Sequence, residues 1–154
     1  MTILLFLAVL AAAPPVSDDD RATIAHATRT ADEFAYCAGV WDFFSDAESA
    51  GDRPASAKQF HNMANGAQTA ALWTHAKAHL ASGGKPARYG AWLPLVTPKR
   101  EAASLQLHSA LEHGDVERAR REGEKCREML EAQQLTLDFL RQDQVELEVG
   151  PQPE

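Results

Sequence analysis

FAYCAGVWDFF, residues 34–44, carries five aromatic side chains and one of the chain's two cysteines in eleven positions. Phe34, Ala38 and Trp41 fall at intervals of four and three, the spacing of one helix face. Followed upstream, the stripe continues through Ala31, Ala27 and Ile24, and downstream Gly51 closes it. The pattern predicts a helix from about Arg21 to Ala50. A cysteine amid aromatic neighbours lacks the electropositive, accessible setting of a reactive thiol, so Cys37 reads as structural.

Beyond Gly51, Pro54 suits the first turn of a second helix, which the stripe Phe60, Ala64, Ala67, Ala71 and Ala78 carries to about Ser82, before Gly83 and Gly84. A third helix is expected from near Pro98 to His113-Gly114. A fourth follows, capped by Asp115, with Val116, Ala119, Gly123, Cys126, Leu130, Leu137 and Leu140 in heptad-like order to about Gln142. Short links imply antiparallel neighbours. The expected fold is all-α: an up-down four-helix bundle in which one long loop, about 83–97, replaces part of the third helix. The fragment ALEHGDVERAR, residues 110–120, resembles a tetratricopeptide-type helical turn, but no second copy recurs at that repeat's spacing.

This topology puts the end of helix 1 and the start of helix 4 at one end of the bundle. Cys37 lies thirteen residues before Ala50 and Cys126 eleven residues after Asp115, a mismatch of about 3 Å at 1.5 Å rise per residue. A Cys37–Cys126 disulfide is therefore expected.

The chain of 154 residues is 45% apolar and carries a net charge of −7. That suits one helical domain and argues against binding nucleic-acid phosphates. Residues 1–13 end an apolar run in small residues, and Asp18, Asp19 and Asp20 follow, the layout of an export signal with cleavage after Ala11, Ala12 or Ala13. The expected organisation is a signal peptide over 1–13, an acidic linker over 14–20, a helical domain over 21–144 and a flexible tail over 145–154. The location is periplasmic or secreted, with an uncleaved N-terminal anchor as the alternative. No membrane insertion of the mature chain is expected.

The second helix carries an additional stripe near its end, Leu72, Trp73, Ala76 and Leu80, so it needs a second partner. Tyr89, Trp92, Leu93, Leu95 and Val96 are the expected cover. Trp73, Tyr89 and Trp92 thus mark either a packed end or a surface for a small apolar ligand or a protein of the cell envelope. His75 and His79, one turn apart, share a face at a spacing able to grip a divalent transition metal, with His26, at a comparable height on helix 1 but off its apolar stripe, as a weaker third donor. Arg118, Arg120, Arg121, Lys125 and Arg127 interleave with Glu117, Glu122, Glu124, Glu128 and Glu131, which reads as a self-neutralised face with pairs such as Glu117/Arg121 and Arg127/Glu131. Asp42 and Asp46 read as polar outer positions. The nucleophile-elbow, phosphate-loop and dinucleotide motifs are missing. The function expected is a non-catalytic binding or interaction module without cofactor, or else a metal-binding bundle using His75 and His79.

Overall fold

Residues 17–149 are described by the computed structural model, residues 145–149 by their backbone alone. The expected signal peptide over 1–13 and the tail beyond 149 lie outside the described residues. The chain is all-α, with five helices: α1 Asp18–Ala50, α2 Pro54–Ala81, α3 Leu93–Glu112, α4 Val116–Glu128 and α5 Leu130–Val149. A single 3₁₀ turn, Tyr89–Trp92, precedes α3.

The acidic run expected as a linker is the first turn of α1. Ser17 caps it, its hydroxyl accepting from the Asp20 backbone N–H at 3.1 Å. Three carboxylates at a helix N-terminus complement its dipole, so the acidic run starts the helix. Likewise α5 runs on to Val149, through part of the expected tail.

α1 and α2 form an antiparallel hairpin: the Ser45 hydroxyl donates to the Ala57 carbonyl at 3.0 Å, and Trp41 stacks on Phe60 at 5.9 Å. The small buried residues of α2 (Ala64, Ala67, Ala70 and Ala71) leave room for Phe34, Val40 and Trp41 of α1, all at most 1% exposed. α3 runs alongside α1 in the same direction, tied by Asp42, which accepts two hydrogen bonds from Arg100, and by Asp46, 3.3 Å from His108. These two carboxylates therefore serve the helix interface.

Two expected boundaries move. The connection taken as 83–97 is shorter, because the chain enters the 3₁₀ turn at Tyr89 and α3 at Leu93. Pro94, in the first turn, needs no N–H there, and Val96 is fully buried against Phe34, Ala35, Ala70 and Ala71. Burial of that turn offsets the hydrogen bond that Pro98 removes inside the helix. The loop expected to replace part of the third helix up to residue 97 thus gives way to helix from Leu93.

The expected fourth helix is two helices, broken at Met129. Neither glycine nor proline stands at the break, so local propensity does not account for it. Cys126 is bonded to Cys37 of α1, with Cα atoms 5.4 Å apart. Beyond it α5 turns to α2, where Gln133 covers Gly66 and Phe139 stacks on Trp73. Two anchors on different helices bend the rod between them. On α4 the self-neutralised face exists, but Arg120 takes both Glu117, at 2.7 Å, and Glu124, at 2.8 Å. Glu117 is thus paired with Arg120 in place of Arg121.

Among the described residues, no helix is long and apolar enough to cross a membrane.

Candidate functional site

The last turns of α2, the connection after it and the start of α3 meet at one end of the molecule. His79 and Gly84 set the geometry there. A Cβ built on Gly84 would lie 2.1 Å from His79 Nε2, so only glycine lets the chain pass this close to the ring. The His79 ring in turn meets Trp92, with centroids 4.9 Å apart and planes tilted by 55°. Held this way, Trp92 becomes the shared wall of two clefts.

The larger cleft, about 500 Å³, is lined by Ala76, Lys77, Leu80, Pro86, Tyr89, Trp92 and Asp143, among others. Leu80 and Tyr89 stay 41% and 39% exposed, so the connection does not seal α2 as the sequence implied. Trp73 sits outside this cleft. Its ring is stacked nearly parallel on Phe139 of α5 at 6.5 Å, and its Nε1–H donates to Asp143 Oδ2 at 3.2 Å. Lys77 pairs with the same carboxylate at 2.5 Å and lies 5.2 Å from the centre of the Trp73 ring. The Lys77 hydrogen bond, aided by that of Trp73, holds the Asp143 carboxyl below its ordinary pKa despite its partial burial.

Of the three aromatic residues singled out from sequence, Tyr89 and Trp92 share a cleft, and Trp73 acts behind its charged edge. Phe139 and Asp143 escaped notice. The second stripe on α2 signalled a missing partner, and α5 supplies half of it.

The smaller cleft, about 290 Å³, is lined by Ile24, Thr28, Asp32, His75, Trp92 and Lys99, with His79 and Leu95 alongside. His75 is 7% exposed, and burial lowers its pKa below the usual imidazole value; Asp32 opposes this and Lys99 adds to it. His75 Nε2 lies 3.3 Å from Asp32 Oδ1 without the alignment of a hydrogen bond. Lys99 Nζ approaches the same oxygen to 2.5 Å. His75 and His79 therefore border one cleft but face different surroundings, the first toward Asp32 and the second toward Gly84 and Trp92. His26 is exposed on α1 and does not line this cleft. Among the described residues, no group of three or more His, Cys, Asp or Glu is placed to hold a metal ion.

A wider groove of about 710 Å³ runs between α2 and α5, bordered by Lys58, Gln59, Asn62 and Glu131 around Met63. It gathers no cluster of titratable groups that could act together.

Comparison with protein families, with curated proteins and with solved structures finds no match to this chain.

Proposed function

We propose that the protein is an exported, non-catalytic binding module. Its cleft between α2 and the Tyr89–Trp92 turn takes a small apolar ligand or an apolar side chain of an envelope protein. One observation carries this reading: a cleft of about 500 Å³ with Leu80, Tyr89 and Trp92 on its walls and the Lys77–Asp143 pair at its edge. Ligand sites commonly have this size and this mixture of apolar wall and few polar groups. The Cys37–Cys126 bond supports an oxidising compartment, and with it export to the periplasm or beyond. The scaffold under this reading is an up-down bundle of four rods, the fourth bent at Met129.

Anilinonaphthalene sulfonate, a dye that brightens in apolar surroundings, tests the cleft. Saturable enhancement by the folded protein is expected, weakened by Tyr89→Ala by about fivefold, the value of one partly buried aromatic contact. Enhancement equal in wild type and Tyr89→Ala would remove the cleft from the reading.

The metal reading of His75 and His79 has less support. Both border one cleft, yet His79 Nε2 lies against Gly84. Calorimetric titration with Zn²⁺ tests it, and a stoichiometric heat abolished by His75→Phe would favour it.

A further inference from the structure

The bend at Met129 opens a further cleft. α4 lies on α1, with Gly123 against Phe44 and Cys126 bonded to Cys37, and α5 then turns away to α2. Between α1 and the last turn of α4 this leaves about 380 Å³. Glu33, Tyr36 and Cys37 wall it from α1 at i, i+3 and i+4, and Lys125, Glu128 and Met129 wall it from α4 and the bend. The Cys37–Cys126 bond ties the two walls together. Its charged groups reach solvent. Glu33 and Glu128 are exposed, and neither makes a hydrogen bond or ion pair with another described residue. Lys125, 64% exposed, holds its Nζ 5.5 Å from the centre of the half-buried Tyr36 ring.

We infer that this cleft is a second ligand site, separate from the one beside Tyr89 and Trp92, for a small organic amine in its ammonium form with a compact apolar body, and that Lys125 competes with that amine for the Tyr36 ring.

The chemistry of the walls sets that class. Carboxylates only accept hydrogen bonds, so Glu33 and Glu128, brought from two helices to one cleft, call for a donor, and a charged donor serves them best. The face of an aromatic ring attracts a cation, and Lys125 shows that the Tyr36 ring takes one here. Met129 and Cys37 are polarizable walls against which an apolar ring can pack. The charge balance points the same way. Asp32, at the rim shared with the smaller cleft, is already paired with Lys99 at 2.5 Å, and Lys125 faces Glu122 at 4.0 Å. Glu33 and Glu128 are left to set the sign, so an anion meets like charge and a neutral ring forgoes both carboxylates. Lys125 is long and mostly exposed, and it can yield the ring by rotating into water. The volume lies within the usual range of small-molecule sites.

The test uses the whole protein and the probe benzylamine, which is charged near neutral pH. Nuclear magnetic resonance reads the Met129 methyl group, assigned as the signal lost in Met129→Leu, and the Tyr36 ring, assigned through Tyr36→Phe. Both signals are expected to shift together and saturate. Benzyl alcohol, a neutral ring of the same size, should bind about fivefold more weakly, the upper value of one exposed ion pair, and benzoate more weakly still. Added salt should weaken benzylamine and leave benzyl alcohol unchanged. Glu33→Gln and Glu128→Gln should each weaken benzylamine by about two- to fivefold, again without effect on the alcohol. Lys125→Met should tighten benzylamine by a similar factor, an outcome that a purely structural lysine would not produce. Five results would overturn the inference: no saturable shift, an equal response to benzyl alcohol or benzoate, unchanged affinity in both glutamate variants, unchanged or weaker affinity in Lys125→Met, or movement of Tyr89 in place of Tyr36. The dye test at the other cleft succeeds or fails separately, because Tyr36 and Met129 do not line that cleft.

Discussion

The backbone carbonyl of Arg100 lies against Gly39: a Cβ built on Gly39 would come within 1.9 Å of that oxygen and 2.8 Å of Ala103 Cβ. α1 and α3 touch backbone to backbone at this point, and from there Arg100 reaches back to Asp42. The same crossing holds the start of α3 in place, and with it Lys99 beside Asp32.

Gly39→Ala should therefore destabilise the protein. On an exposed helix the change would add about 1 kcal/mol of stability through helix propensity. Here the clash is with main chain that cannot swing aside, and overpacking of this kind costs about 1 to 3 kcal/mol or more. Urea midpoints of the two proteins decide the sign, and a rise in midpoint would mean that α3 can withdraw freely.

Cys37 and Cys126 are joined, at 3% and 1% exposure. Thiol labelling of the denatured, unreduced protein should modify neither; two modified cysteines would refute the bond. The bond closes a sequence separation of 89 residues, and chain-entropy arithmetic gives roughly 4 to 5 kcal/mol as an upper figure. Cys37→Ala/Cys126→Ala should fall markedly in urea midpoint.

Trp41 and Trp92 should respond unequally to truncation. Trp41 is 1% exposed, stacked on Phe60 and tilted against Phe44, so Trp41→Ala should cost about 3 to 5 kcal/mol. Trp92 is only half-buried, with His79 on one side and a cleft on each flank, so Trp92→Ala should cost less, about 2 kcal/mol. Equal losses in urea denaturation would show Trp92 to be a core residue.

His75 gives stability a pH dependence of definite sign. Its pKa in the folded chain is below the usual 6.5 of the unfolded one, chiefly through burial. As pH falls below about 6.5, the unfolded chain takes up the proton first, so the favourable contribution of the neutral buried ring is lost on acidification. The slope from this group is at most about 1.4 kcal/mol per pH unit and vanishes once the folded ring is also protonated. Asp143, with a lowered carboxyl pKa, adds its loss only at more acidic pH. Chemical denaturation between about pH 7.5 and 5 should show the slope in wild type, and His75→Gln should flatten it. An unchanged slope would assign the titration elsewhere.

Protein recovered from a cell envelope fraction should lack residues 1–13 or close to it, by intact mass. Retention of Met1 through Ala13 would make the N-terminal run an anchor.

The helical class, the Ala-rich face of α2, the Asp115 cap and the Cys37–Cys126 pair were legible because each rests on short-range spacing or on rise per residue. Such quantities are properties of a single helix or of two helices compared end to end. The candidate site was legible only in part: the apolar stripe at Trp73 and the His75/His79 spacing lie at the end of the molecule where the two clefts are. Their surroundings did not follow from it.

What only the tertiary structure decided has a common cause, the competition of distant partners for one segment. Pro98 looks like a helix start, yet burial of Val96 draws the helix back to Leu93. Residues 116–149 have no local breaker at Met129, yet Cys126 is held by α1 while Phe139 is held by Trp73 of α2, and the rod bends between them. Asp32 and Lys99 lie on helices far apart in sequence, and they meet His75 only because Gly39 lets α3 lie directly on α1. Periodicity tells which face of a helix is buried; which neighbour buries it, and which polar atoms are trapped with it, depends on the whole set of contacts formed at once.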